Sequence, residues 1–302
     1  MATSNTKYIK PVKLICYNWM PTIADHVLDM PEQMYNSVGT SRQHKIDTFN
    51  PYSVKDGDLI FVKTDFIVNG TFEKLYLDKI FKRFSLITGV SSYHLGRDGG
   101  DSYKRILNHP NLIKWICTNP PSEKNDKIIP IPIGFQEPDR PGGSQETLLE
   151  VFRNRTPFEE KENKIFLPYH TPSTNPERQK HFDYLKKLPF VVSQEKKQNL
   201  KEYYKSLNKY KFTIGLEGSG PDIHRNYETL LVGSIPINIE NVIKTVFEYY
   251  EADAIFLKDW SKLNEEMFEK ILKNSYNEEK NNDFLMIEQK IKNIKRAIGI
   301  KK

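Results

Sequence analysis

The chain has 302 residues, and its 45 Lys and Arg against 39 Asp and Glu leave a formal net charge of +6. At ~100–200 residues per domain this length suggests two domains, each large enough to bury its own core. A content of 38% hydrophobic and 12% aromatic residues excludes a disordered or fibrous chain. No window approaches the ~18 consecutive apolar residues of a membrane span, and residues 1–10 lack the apolar centre of a secretory leader, so neither is expected. Cys16 and Cys117 lie in apolar runs and make no disulfide framework, so a reducing, cytoplasmic setting is expected. The lysines are scattered among Glu, Asp and Asn, as in EEKENK and NEEKNND. With no RNA-binding signature or Gly-rich basic tract, the charge reads as a solvated surface, and no nucleic-acid partner is expected.

Short, nearly unbroken apolar runs recur along the chain. In order they are VKLICY (12–17), DLIFVK (58–63), SLITGV (85–90), LIKWIC (112–117) and IIPIPI (128–133), then KIFLPY (164–169), FVVS (190–193), KFTIGL (211–216), SIPINI (234–239) and AIFL (254–257). Such runs suit strands buried on both faces of a parallel sheet. Phe72, Leu75, Tyr76 and Ile80 fall at helical spacing in a segment that ends at Arg83, and Asn175 before Pro176 marks a helix start. The alternation of strand and helix predicts an α/β fold with right-handed crossovers.

The charged stretch RNRTPFEEKEN (153–163) offers no face to bury and divides the chain into residues 1–157 and 158–302, both of which read as α/β. The last predicted helix (283–298) carries Phe284, Ile287, Ile291, Ile294 and Ile298 on one stripe with lysines opposite. Packing onto the body, including back onto the N-terminal half, is the expected role of such a stripe. At most it makes peripheral contact with a membrane.

The most informative stretch is KFTIGLEGSGPDIHRNYETLLVGSIPI (211–237). A buried strand ends at Leu216, a loop with Gly218, Gly220 and Pro221 follows, and a helix starts near Asp222, a suitable cap. Bare amides and the helix dipole at such a junction favour phosphate. Arg225 in the first turn could clamp a diphosphate with its fork. Glu228, three residues on, shares that face and suits a ribose diol, because a carboxylate accepts from both hydroxyls. From spacing alone, an ordinary βαβ unit with a capped helix and a surface Arg–Glu pair fits equally well.

The order strand, Gly loop, Pro-Asp-x-His-Arg, aromatic, Glu, x-Leu, Gly, x-Ile-Pro is similar to the donor-binding motif of exostosin-like glycosyltransferases, and the short members from large DNA viruses look closest. KIIPIPIGF (127–135), TNPERQ (174–179) and AIFLKDW (254–260) resemble other segments of that family, and the likeness covers most of residues 58–260. It implies a GT-B architecture, in which an N-terminal acceptor-side and a C-terminal donor-side Rossmann-like domain face each other across a cleft. It also implies metal-independent, inverting transfer of one sugar from a nucleotide-diphosphate sugar to a glycan or glycoside hydroxyl, in the host cytoplasm if the chain is viral. By the same resemblance His224, Arg225 and Glu228 are donor-site residues, Arg178 is a second positive group for the diphosphate, and Glu217, Gly218, Ser219, Gly220 and Asp222 form the donor loop. One departure is that Leu216-Glu217-Gly218 stands where members often read Pro-Arg-Gly, and Glu217-Gly218-Ser219 resembles the Glu-Asn-Ser of α1,3-fucosyltransferases. A UDP-sugar such as UDP-xylose or a UDP-hexose is the first expectation. GDP-fucose is the alternative donor, and a non-catalytic carbohydrate- or nucleotide-binding protein is the alternative outside the enzymes.

Inverting transfer needs a general base for the acceptor hydroxyl, and ligands of open α/β sheets sit at the carboxyl ends of strands. Asp65 follows DLIFVK at that end and is the first candidate; His94, Asp98 and Asp101, in the glycine-rich loop after SLITGV, are the next set. A turn cap or solvated side chain is the competing role for each of them. Asp56-Gly57-Asp58 matches an Asp-x-Asp metal motif, but Asp-Gly before a buried strand is a turn signal. The histidines show no HExxH or comparable spacing, so neither a metal nor another cofactor is expected.

Overall fold

A computed structural model of the chain describes residues 14–16, 19–29, 49–138, 140–171, 175–275 and 285–299. Among them are two five-stranded sheets. The first runs β1 (His26–Leu28), β2 (Asp58–Lys63), β3 (Phe84–Gly89), β4 (Leu112–Cys117) and β5 (Ile128–Pro130), side by side in chain order. The second comprises β6 (Glu162–Leu167), β7 (Val191–Ser193), β8 (Tyr210–Ile214), β9 (Ile235–Ile239) and β10 (Ile255–Leu257), in the order β10-β9-β8-β6-β7. Every ladder pair in both sheets is parallel. The helices are α1 (Thr64–Val68), α2 (Thr71–Leu75), α3 (Leu95–Asp98), α4 (Gly100–Leu107), α5 (Gln145–Arg153) and α6 (Glu177–Leu185), followed by α7 (Leu200–Lys209), α8 (His224–Leu231), α9 (Ile243–Tyr249), α10 (Glu265–Asn274) and α11 (Ile287–Ala297). Among the described residues no helix is long and apolar enough to cross a membrane.

DLIFVK and LIKWIC coincide with β2 and β4. IIPIPI pairs only as far as Pro130, because prolines at 130 and 132 have no N–H to extend the ladder. Within VKLICY, Leu14 and Cys16 make isolated bridges to Met286 and Phe135 rather than a strand. The helical pattern expected up to Arg83 is broken. Gly70, at φ 77°, separates α1 from α2, α2 closes at Leu75, and only a 3-10 turn follows at Leu77–Lys79. Leu75 is 52% exposed, so the periodic residues do not share one buried face. The last helix begins at Ile287; Asp283 and Phe284 lie outside the described residues.

Side chains alternate across each strand, and the two faces of the first sheet bury against different material. Ile60, Val62, Leu86 and Trp115 pack under the crossover helices, against Ile67, Phe72, Leu95 and Ile106. Strands in sequential order step the same way at every right-handed crossover, which keeps those helices on one face. The opposite face (Leu59, Phe61, Ile87, Ile116 and Ile129) is covered from elsewhere. Leu14, Ile15, Trp19 and Met20 meet it, as do Tyr227, Leu230 and Leu231 of α8, Ile243 and Phe247 of α9, and Leu285, Ile294 and Ile298 at the C-terminal end. The same cluster continues to Phe166 and Tyr210 of the second sheet. The far face of that sheet buries Ile165, Leu167, Phe212 and Ile214 against α6 and α10.

Polar contacts reinforce this shared core. Ile15 N donates to Leu285 O at 2.8 Å, Phe135 N to Ile15 O at 2.9 Å, and the Tyr250 hydroxyl to Pro130 O at 3.0 Å. Lys290 of α11 is buried over the Tyr250 ring, and burial pushes its ammonium down to about 6. Because one apolar cluster serves both sheets, calorimetry of the wild-type chain should show a single unfolding transition. Phe247→Ala should remove ~3–5 kcal/mol and move that transition down as a unit. Separate transitions for the two halves would show that their cores are independent.

Candidate functional site

From β6 the second half steps outward to β7, then returns past β6 to β8 and proceeds the other way through β9 and β10. The direction reverses between β6 and β8, and the crevice at the carboxyl ends of such neighbours is where open α/β sheets bind ligands. A cavity of about 740 Å³ lies there, within the usual size of small-molecule sites. Tyr169 and His170 after β6, and residues 218–220 after β8, form one side; Ser91, Ser92, Asn119 and Ile133 from the loops after β3, β4 and β5 form the other. The cavity therefore lies between the two sheets.

Arg178, Gly218, Ser219, Gly220, Asp222, His224, Arg225 and Glu228 all border it. Glu217 does not; its carboxylate accepts from Asn241 Nδ2. Arg225 Nη2 donates to Tyr169 O at 2.9 Å, and Arg178 donates to Leu216 O through Nη2 at 2.8 Å and Nε at 3.3 Å. Both guanidiniums are thus held by carbonyls. Burial, and then the neighbouring Arg225, push the Arg178 guanidinium down to about 10, so it stays protonated at neutral pH. Among the described residues no carboxylate lies within 4.0 Å of Arg225, and its buried Nε has no hydrogen-bond partner. Glu228 is buried, and its Oε2 accepts from the Tyr203 hydroxyl at 2.6 Å.

Asp222 corrects the expectation of a helix cap. The cap position of α8 is Ile223, with no side-chain bond to the first turn. Asp222 instead turns into the interface between the halves, where Oδ2 accepts from Ile133 N at 3.0 Å and from the Tyr227 hydroxyl at 2.6 Å, while its own N–H donates to Asn119 Oδ1 at 3.3 Å. No side chain therefore caps the first turn of α8. Two residues on, His224 Nδ1 lies 2.7 Å from Gly134 O. Gly220 also serves this interface, since a Cβ there would sit 2.7 Å from Ser92 O.

Asp65, His94, Asp98 and Asp101 lie outside the cavity walls. Asp65 sits in the first turn of α1, 2.9 Å from Lys63 Nζ. His94 caps α3, its Nδ1 accepting from Arg97 N at 2.7 Å, and Asp98 pairs with Arg97 at 2.7 Å while accepting from His94 N. Asp101 is exposed in the first turn of α4. The glycine-rich segment that bears them is helical rather than an open loop. At Asp56-Gly57-Asp58, Gly57 has φ 89°, Asp58 Oδ2 accepts from Lys55 N at 2.8 Å and meets His26 Nε2 at 2.8 Å, and Asp56 pairs with Arg83, as in a turn. Among the described residues no group of three or more His, Cys, Asp or Glu could hold a metal ion.

The composition of the site went partly unseen in the sequence. His170 ends the run KIFLPYH at the carboxyl end of β6, the position rule that singled out Asp65. It is 5% exposed, and burial, followed by Arg178 and Arg225, holds its imidazole below the ordinary range. Tyr203, Asn119, Ser91 and Ser92 carry no local signal. No protein-family model matches the chain, and no curated protein sequence matches it.

Burial pushes the Asp222 carboxyl up to about 6 from 3.8, against the opposing bonds from Tyr227 and Ile133. Between those values the folded chain holds a proton that the unfolded chain has lost, so the stability from this group is complete below about 4 and is lost as pH rises through about 6. That loss is on the order of 3 kcal/mol. Asp222→Asn keeps an acceptor for both donors and cannot ionise. Its melting temperature should therefore vary less across this window than that of the wild type; identical pH profiles would show that Asp222 does not titrate there.

Proposed function

We propose that the chain is an inverting glycosyltransferase of GT-B arrangement that moves one sugar from a nucleotide-diphosphate sugar, a UDP-sugar first, to a glycan or glycoside hydroxyl. The observation that carries this reading is the meeting of Arg178, Arg225 and the uncapped N-terminus of α8 at the direction reversal of the second sheet, inside a cavity walled by both sheets. Two guanidiniums and helix amides suit a diphosphate. They act where the leaving group gains charge when the bond to the sugar breaks. Glu228 stands one turn along α8 from Arg225, the distance from phosphate to ribose, with Tyr203 orienting its carboxylate. The first-sheet loops at Ser91, Ser92 and Asn119 would face the acceptor.

A non-catalytic nucleotide- or carbohydrate-binding protein is the second reading, favoured by the position of Asp65, His94, Asp98 and Asp101 outside the cavity. Thermal unfolding with UDP, GDP and their sugars tests the shared premise. A matched nucleotide at a hundredfold excess over its dissociation constant adds about 2.7 kcal/mol, and no shift with any of them would remove the donor site. Arg225→Ala should weaken diphosphate binding roughly 10–100-fold while leaving the melting temperature of the free chain nearly unchanged. Release of free nucleotide from the sugar donor, measured alongside, separates enzyme from binder.

A further inference from the structure

We propose that His224 is the base that takes the proton of the acceptor hydroxyl, a role that rests on the transferase reading above. His224 borders the cavity, and its Nδ1 lies 2.7 Å from the carbonyl oxygen of Gly134. A carbonyl only accepts, so Nδ1 carries the hydrogen and Nε2 is the nitrogen with the basic lone pair. The anchor is rigid. Gly134 has φ 70°, a conformation that favours glycine, and a Cβ there would sit 2.5 Å from Ile15 O, so the turn that aims this carbonyl is packed against the N-terminal segment.

The position suits the step. His224 opens α8 and directly precedes Arg225, which places a proton acceptor beside the group that holds the diphosphate. Its bonding partner belongs to the first-sheet side, so the ring stands where the acceptor meets the donor.

The other titratable groups of the cavity stand in different surroundings. Asp222 Oδ2 is buried under Ile133 N–H and the Tyr227 hydroxyl. Glu228 Oε2 holds the Tyr203 hydroxyl. His170 is flanked by Arg178 and Arg225, which oppose its taking a proton. In the step itself the acceptor oxygen forms its bond to the anomeric carbon as its proton passes to His224 Nε2. The bond from that carbon to the phosphate oxygen breaks, and its electron pair leaves on the nucleoside diphosphate between the two arginines. The imidazolium then gives the proton to solvent.

The test compares wild type, His224→Ala and His224→Asn, using UDP-xylose, UDP-glucose and UDP-N-acetylglucosamine with methyl glycosides as acceptors. Nucleotide release, UDP affinity and melting temperature are measured for each. Asparagine can still donate to Gly134 O, which keeps one variant folded if alanine loosens the turn. Both variants should bind UDP within about threefold of wild type and lose at least ~10²-fold in kcat. Added imidazole should restore turnover to His224→Ala and not to Arg225→Ala. Near-normal kcat in either folded variant overturns the proposal. So does a loss of kcat that imidazole does not repair, since the ring would then only position its neighbours. A wild type that binds UDP yet releases no nucleotide from any donor overturns the transferase reading and the base with it.

Discussion

One face of the first sheet is left uncovered by its crossover helices. Five parallel strands in sequential order send every right-handed crossover to the same side, which leaves Leu59, Phe61, Ile87, Ile116 and Ile129 facing outward from their own unit. That apolar surface has to be buried, and α8 and α9 of the second half join α5 and both terminal segments in the cluster that covers it. The halves are therefore not two closed globules joined by a linker. They share a core, and α8 belongs to that core along one side and to the cavity along its first turn.

This double duty explains why the segment 222–228 is so heavily engaged. Tyr227 is fully buried in the shared cluster, and it hydrogen-bonds Asp222, which in turn holds the backbone of Ile133. His224 reaches Gly134 and borders the cavity together with Arg225 and Glu228. A single helix turn thus fixes the spacing between a wall of the first sheet and the cations of the second. The walls of the cavity are thus set by packing and hydrogen bonds between the two halves.

The strands were the most legible part of the sequence, because a segment buried on both faces reads as an unbroken apolar run; β2 and β4 match theirs residue for residue. β1 has only three residues and left no run to see. The pattern at Phe72, Leu75, Tyr76 and Ile80 looked helical, yet Leu75 faces water and the chain turns after it. For the site, the residues around 218–228 were legible because strand, loop and helix are contiguous there. Asn119 and Ser91 were not, since they reach the cavity only through the packing of one sheet's loops against another's, and no local period records that. Asp222 shows the same limit from the other side: its residue type and position suit a cap, but a buried partner 89 residues away takes the carboxylate instead.

The net charge of +6 carries little information as a total, since most of it is solvated, as in the exposed pairs of Lys180 with Glu177 and Lys244 with Glu240. Position gives it meaning. Arg178 and Arg225 are close enough for one to depress the other's proton affinity, and both are tied to carbonyl oxygens, which orient a guanidinium without neutralising it. Their repulsion persists in a partly buried site, where it is weakly screened. An anion placed between them removes that repulsion and adds attraction to each. Two guanidiniums oriented by carbonyls, beside a helix N-terminus without a side-chain cap, concentrate positive potential at one end of the second sheet.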